Sequence, residues 1–81
     1  MQKDLQKTRK EIDAVDEKLK KYIEKREKLI KKVKKIKDKL NLKIQDKNRE
    51  QKILKRMKSP FVKKVFKEIL KHSRKAQSDF D

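Results

Sequence analysis

"IEKREKLI", residues 23–30, is the centre of an apolar stripe that recurs in alternating steps of three and four residues. This average spacing of 3.5 residues is typical of a long helix whose seam packs against another helix. Position 26 falls in the same series but holds Arg26. A charge in an apolar seam is costly to bury, so it needs an explanation. The apolar members of the stripe are Leu5, Ile12, Val15, Leu19, Tyr22, Leu29, Val33, Ile36 and Leu40.

The composition predicts a small, all-helical chain that associates with itself. The 81 residues include no glycine, no cysteine and one proline, and 52% of them are charged. One copy of so short a chain buries little apolar surface, and a long helix with a continuous apolar stripe needs a partner. No apolar run reaches the length of a membrane span, and the N-terminus lacks the apolar core of a signal peptide. We therefore expect a cytoplasmic protein.

Helix start and stop signals divide the chain into three helices. Asn41 is a candidate C-terminal stop for the first helix, and residues 41–45 are the connection. Asp46 is a candidate N-cap for the second helix, and Ser59 followed by Pro60 is a strong start signal for the third. The predicted helices of this all-α chain span about residues 3–40, 46–57 and 60–78 of a single domain, 1–81.

The net charge of +16 makes nucleic acid the first partner to consider. A basic surface attracts any polyanion by counterion release, but charge alone does not define a site. The lysines of KKVKKIKDK, residues 31–39, alternate with seam residues at helical spacing, and we interpret them as a solvated face. Aromatic residues are few, and no platform for stacking bases is visible. A basic helical dimer that binds nucleic acid or a partner helix is an alternative.

Polar residues interrupt the inward stripe of each predicted helix. Ser73 and Gln77 are four residues apart and continue the apolar stripe of the third helix, while Asp46 and Glu50 share a face with apolar residues of the second. Arginine is rare, with five copies against 24 lysines. An arginine placed inward, such as Arg26, therefore indicates that a planar guanidinium is needed to bind a carboxylate with two parallel hydrogen bonds.

Helix geometry relates the basic residues of the first helix to one another. Arg26 and Lys37 are separated by about 20° around the helix and roughly 16 Å along it, so both can reach one small molecule. Arg9 lies about 25 Å from Arg26 along the axis, beyond the reach of its own chain's site. If two first helices pair antiparallel about a midpoint near residue 20, Arg9 lands between Arg26 and Lys37 of the partner. This geometry predicts a homodimer with two symmetric sites, each built by both chains.

Taken together, these motifs resemble the all-helical class of chorismate mutases. The resemblance implies a three-helix chain that intertwines as an antiparallel homodimer and converts chorismate to prephenate without a metal or other cofactor. The segments that carry it are LQKTRKEIDAVDEKL (5–19), EKR (24–26), Lys37, DKNRE (46–50) and HSRKAQ (72–77). The positions that match the family's active site are Arg9, Arg26, Lys37, Asp46, Arg49, Glu50, Ser73 and Gln77.

The resemblance also implies a role for each of these residues. Arg26, with Arg9 of the partner chain, is expected to hold the two carboxylates of chorismate and to select its compact diaxial conformer. Lys37 and the side-chain NH2 of Gln77 are expected to donate to the ether oxygen, where negative charge grows as the C–O bond breaks. Six of the positions match the family in spacing as well as in residue type: Arg9, Arg26, Lys37, Asp46, Arg49 and Glu50.

The remaining site residues are expected to bind the polar rim of the substrate. Glu50, with the backbone near Asp46, is expected to hold the ring hydroxyl, and Arg49 and Ser73 to contact or support the substrate. The sequence departs from the family in two places. The connection between the second and third helices is shorter, and the usual glycine before the second helix is absent, which leaves the turn at 41–45 uncertain.

Each residue taken alone also has a structural interpretation. Arg26 could set the register of a helix pair, Asp46 could serve only as a cap, and Ser73 and Gln77 could mark a helix end turning towards solvent. An isochorismate pyruvate-lyase on the same scaffold is an alternative activity, because it also acts on an enolpyruvyl ether in a basic site. His72 is interpreted as a surface residue, and no role is predicted for Arg56 and Arg74.

Overall fold

The chain folds into three helices and the turns that join them. A computed structural model describes residues 1–43 and 46–79. The elements are α1 (Gln2–Leu40), α2 (Lys47–Lys55) and α3 (Pro60–Asp79), with no strand among the described residues. The predicted all-α class is confirmed. None of the helices in the described part of the chain is long and apolar enough to span a membrane. The predicted connection 41–45 includes residues 44 and 45, which lie outside the described residues.

The C-terminus of α1 is set by Asn41, whose backbone adopts the left-handed conformation with a φ of 55°. Asparagine is one of the few non-glycine residues that adopt this conformation readily. The turn lets the Leu42 N–H donate to the Lys37 carbonyl at 2.8 Å, so one of the last free carbonyls of the helix is satisfied. The chain thus reverses here without a glycine.

The starts of α2 and α3 are fixed by side-chain caps. The Asp46 carboxylate accepts the Arg49 N–H at 3.0 Å, which satisfies one of the free donors at the start of α2. The Ser59 hydroxyl accepts the Val62 N–H at 3.4 Å at the start of α3. Pro60 is the first residue of α3, where its missing N–H costs nothing because that position has no helical acceptor.

The second helix is shorter than the sequence predicted. It ends at Lys55 rather than near Met57, because the last turn tightens. Arg56 and Met57 donate their N–H groups to carbonyls three residues back, at 3.3 and 3.1 Å. The other two helices differ from their predicted spans by one residue each, at the start of α1 and the end of α3.

Within one chain only a narrow face of α1 is covered. Along α1, all of which is described, the residues that are not exposed are Arg26, Ile30, Lys34 and Lys37. Their spacing of four, four and three places them on one face of the helix. The helix that packs against α1 is α3, which also packs against α2. Three of the four covered residues are cationic, so the fold encloses positive charge.

Lys34 departs from the interpretation of residues 31–39 as a solvated face. Its side chain is 8% exposed, and its Nζ lies 2.7 Å from Asp38 Oδ1. The interpretation is wrong for this residue because Lys34 belongs to the face of α1 that is covered. Buried lysines are rare unless they are paired, and the carboxylate one turn later provides a partner.

The apolar stripe of α1 is left uncovered. Its nine apolar residues are between 38% and 69% exposed, and Leu70 of α3 is the one buried apolar residue among those described. The chain extends 57 Å along its longest axis, and its radius of gyration is 16.5 Å, compared with about 12 Å expected for a compact chain of this length. One copy therefore lacks a core of its own, and the exposed stripe is a surface suited to association.

Candidate active site

A cavity of about 130 Å³ lies where α1, α2 and α3 meet. Apolar side chains, including Ile30, Ile53 and Leu70, form part of its wall. The rest of the wall is polar and comes from positions far apart in the sequence. The structure places seven of the eight predicted site residues on this cavity: Arg26, Lys37, Asp46, Arg49, Glu50, Ser73 and Gln77.

A larger recess of about 370 Å³ opens beside this cavity, between α1 and α3. Its lining is mainly apolar and includes Ile23, Val65, Ile69 and Ala76. Although it is larger, Arg26 is the one arginine or lysine among its lining residues, and the carboxylates of Glu27 and Glu68 on the same wall disfavour an anionic ligand. We therefore assign the candidate site to the smaller, cationic cavity.

Arg26 is held in the cavity by Ser73. The guanidinium Nη1 donates to the Ser73 hydroxyl, a contact that joins α1 to α3. The hydroxyl in turn donates to the Ile69 carbonyl of its own helix at 2.7 Å, so its proton is directed away from the guanidinium. Ser73 therefore presents its oxygen to Arg26 and fixes the direction in which this half-buried side chain points.

Positive charges on the wall of the cavity favour the binding of an anion. Burial lowers the pKa of the Arg26 guanidinium, and the positive charge of Arg49 lowers that pKa further. An arginine nevertheless stays charged at neutral pH. Arg26, Arg49 and Lys37 thus place three positive charges on the wall of one small volume. A bound polyanion would reduce the repulsion among them.

Gln77 lies one turn after Ser73 on α3 and is 5% exposed. Its Oε1 is buried and has no hydrogen-bond partner among the described residues. Buried polar atoms are usually satisfied, so this oxygen needs a partner that the described residues do not supply. Rotation of the amide by 180° exchanges its oxygen for its NH2 group, which can then donate into the cavity.

Asp46 and Glu50 use their carboxylates differently. Asp46 Oδ1 accepts the Arg49 N–H, so this carboxylate caps α2. Glu50 Oε1 accepts from Arg74 Nη1 at 2.5 Å, which joins α2 to α3. Sequence reasoning missed Arg74, although it lies three residues before Gln77 and so on the same side of α3. An inward arginine indicates a carboxylate partner, and this argument could have identified Arg74 from the sequence.

The sequence as a whole matches one known protein family. The chorismate mutase type II family matches residues 8–78, which covers most of the 81 residues. The chain belongs to this family. The resemblance seen in the motifs is confirmed, and the chain is an isomerase that converts chorismate to prephenate. Comparison with curated proteins and with solved structures gave no match. The family match favours neither the pyruvate-lyase nor the nucleic-acid alternative.

Arg9 is the one predicted site residue that the chain does not bring to the chorismate mutase cavity. It is exposed on α1 and does not line the cavity. Arg9 lies 17 positions before Arg26, which corresponds to about 25 Å along the helix, a distance that no arginine side chain can span. Within one chain, Arg26 therefore lacks the second guanidinium that the family resemblance implies.

The cavity carries cations and an amide on its wall, groups that can bind and polarise a substrate. Among the described residues on its wall, Ser73 carries the hydroxyl, and that hydroxyl donates to a backbone carbonyl. No group of three or more acidic or histidine side chains in the described part of the chain could hold a metal ion. This arrangement suits a chorismate mutase, because an intramolecular rearrangement needs correct geometry and charge stabilisation, which these side chains can provide.

Proposed function

We propose that the cavity between the three helices binds chorismate in its compact diaxial form and catalyses the rearrangement by holding and polarising it. The observation that carries this proposal is the convergence of Arg26, Lys37, Arg49 and Gln77 on one small volume. During the reaction the ether C–O bond breaks as a C–C bond forms within the same molecule, and no proton is transferred. Donors aimed at the ether oxygen stabilise the charge that grows there.

Different donors serve different parts of the substrate in this proposal. Arg26, oriented by Ser73, binds a carboxylate, and Arg49 adds positive charge at the rim. Lys37 and Gln77 donate to the ether oxygen. Because both side chains are at least half-buried, their charge and dipole act in a poorly screened environment, where such contacts are strongest.

The proposed active unit is a homodimer formed through the exposed stripe of α1. The nine apolar residues of this stripe are exposed in one chain, and a second copy offers a matching stripe. If two α1 helices pair antiparallel about their centre at residue 21, Arg9 of one chain lies opposite the segment between Arg26 and Lys37 of the other. The partner's Arg9 then supplies the second guanidinium for the substrate's carboxylates.

The proposed setting is the cytoplasm, in keeping with the absence of cysteine. In this proposal the net charge of +16 attracts the dianionic substrate rather than a nucleic acid. The direct test follows the ultraviolet absorbance of chorismate with purified protein and identifies the product. Loss of absorbance faster than the uncatalysed rate, with prephenate as product, supports the proposal. Pyruvate release, or no acceleration, contradicts it.

Mixing two inactive variants should restore activity if the sites are shared. Arg9→Ala and Arg26→Ala each damage both sites of their own homodimer. A heterodimer of the two has one site that lacks both arginines and one intact site. With equal amounts and complete subunit exchange, half of the dimers are heterodimers, so about a quarter of the wild-type activity should return. The measurement is prephenate formation after mixing, with exchange verified by mass spectrometry. Verified exchange without recovery would place Arg9 outside the site.

Gln77→Glu should be active only at acid pH. A protonated carboxyl can donate to the ether oxygen as the amide does, whereas an ionised one repels the charge that develops there. We expect kcat of this variant to rise as pH falls, while wild-type kcat changes little over the same range. Gln51→Glu adds the same charge at an exposed position of α2 and should follow the wild type. A flat pH profile for Gln77→Glu would remove Gln77 from the ether-oxygen role.

A further inference from the structure

The ion pair between Arg74 and Glu50 is a feature of the cavity that the proposed mechanism does not use. Arg74 Nη1 lies 2.5 Å from Glu50 Oε1, with side chains 32% and 20% exposed. The pair connects α3 to α2, and both residues line the cavity. It is therefore part of the wall that a bound substrate would contact, and its partial burial makes it stronger than an ordinary surface pair.

The hydrogen bond from Arg74 occupies one side of the Glu50 carboxylate. It engages Oε1, and among the described residues Oε2 has no hydrogen-bond partner. A carboxylate held through one oxygen presents the other in a fixed direction. An oxygen presented in this way is suited to accept a hydrogen bond from a hydroxyl, and the ring hydroxyl of chorismate is the donor already expected at Glu50.

The charges around the cavity explain why Glu50 needs an anchor. Arg26, Lys37 and Arg49 line the same small volume. A mobile carboxylate beside these cations would pair with one of them and compete with the substrate's carboxylates for it. Arg74 offers Glu50 a partner on α3 and so holds its carboxylate out of this competition.

We propose that Arg74 is a positioning residue, which anchors Glu50 so that its second oxygen receives the substrate's ring hydroxyl. This role rests on the proposed function of the cavity. Arg74 acts through Glu50, which binds the ring hydroxyl of chorismate. This hydroxyl lies away from the ether bond that breaks. Its loss therefore weakens substrate binding and leaves the rate of the chemical step nearly unchanged.

The test compares Arg74→Gln with the wild type on two substrates, chorismate and the analogue that lacks the ring hydroxyl. With chorismate, KM should rise about tenfold and kcat should change little, since a hydrogen bond to a charged group is being weakened. With the analogue, which has no hydroxyl for Glu50 to bind, the two proteins should have the same KM. Arg74→Lys keeps a cation within reach of Glu50 and should recover part of the loss.

Two further variants separate positioning from general effects. Arg56→Gln removes the same charge from an exposed position outside this cavity and should leave both KM values unchanged. Adding Arg74→Gln to Glu50→Gln should cost nothing further, because the residue through which Arg74 acts is already gone. Circular dichroism melting verifies that each variant is folded.

Other outcomes overturn the proposal. An equal rise in KM for both substrates would mean that Arg74 binds the substrate's carboxylates directly, and an additive loss in the double variant would mean that it acts independently of Glu50. A fall in KM would mean that the pair obstructs the site. Failure of the wild type to convert chorismate would reject the proposed function itself. An active wild type with the same KM for chorismate as Arg74→Gln would reject only the role of Arg74.

Discussion

Replacing Lys37 with alanine should lower kcat about a hundredfold or more while the helices stay intact. Lys37 is half-buried on the wall of the cavity, where its ammonium can meet the negative charge that grows on the ether oxygen. Such a donor acts mainly in the transition state, so its removal should reduce kcat more than it raises KM. Steady-state kinetics with chorismate provide both constants.

Lys35→Ala is the matched control for this experiment. It makes the same change two residues away, at an exposed position of α1 outside the cavity, and alanine favours a helix equally at both positions. Its kcat should stay close to that of the wild type. If Lys37→Ala turns over at a similar rate to this control, Lys37 has no role at the ether oxygen.

Replacing Arg26 with methionine should abolish most of the activity and make the protein more stable. The loss in kcat/KM should reach about a hundredfold to a thousandfold, because a buried charged contact to the substrate disappears. Burial and the charge of Arg49 both lower the pKa of Arg26, so the folded chain disfavours its charged form. The cost is present throughout the pH range in which arginine is charged, and methionine removes it. We therefore expect the variant to melt at a higher temperature than the wild type.

The stability measurement needs its own control and its own criterion. Arg56→Met makes the same substitution at the exposed residue that follows α2 and should change Tm little. Thermal melting at one protein concentration compares the variants, because the melting of the proposed dimer would depend on concentration. A clear fall in Tm for Arg26→Met would show that the contact with Ser73 stabilises the fold more than burial of the charge destabilises it.

The three helices and most of their ends could be predicted because the signals are local. The spacing of the apolar stripe, the Asp46 cap and the Ser59–Pro60 start act within a few residues of one another, so the sequence alone contains them. The inward position of Arg26 followed from the same periodicity. The end of α2 was predicted two residues too late, because a tightened last turn has no clear sequence signal.

Contacts between helices could not be predicted in the same way. Helical spacing shows which residues share a face, but it does not show which face another helix covers. Lys34 was therefore taken for a solvated lysine, although it lies on the covered face of α1. Arg74 had no role until α2 and α3 were seen to bring it against Glu50.

By itself the sequence determined three helices, an amphipathic α1 and a set of eight charged and polar side chains at positions that resemble those of a chorismate mutase. The tertiary structure alone decided that seven of these side chains meet at one cavity, that Ser73 orients Arg26, and that Arg74 anchors to Glu50. The physical reason is the distance along the chain over which the two kinds of interaction act. Helix propensity and capping depend on neighbours along the chain, whereas the rotation of one helix against another depends on packing between residues up to 47 positions apart.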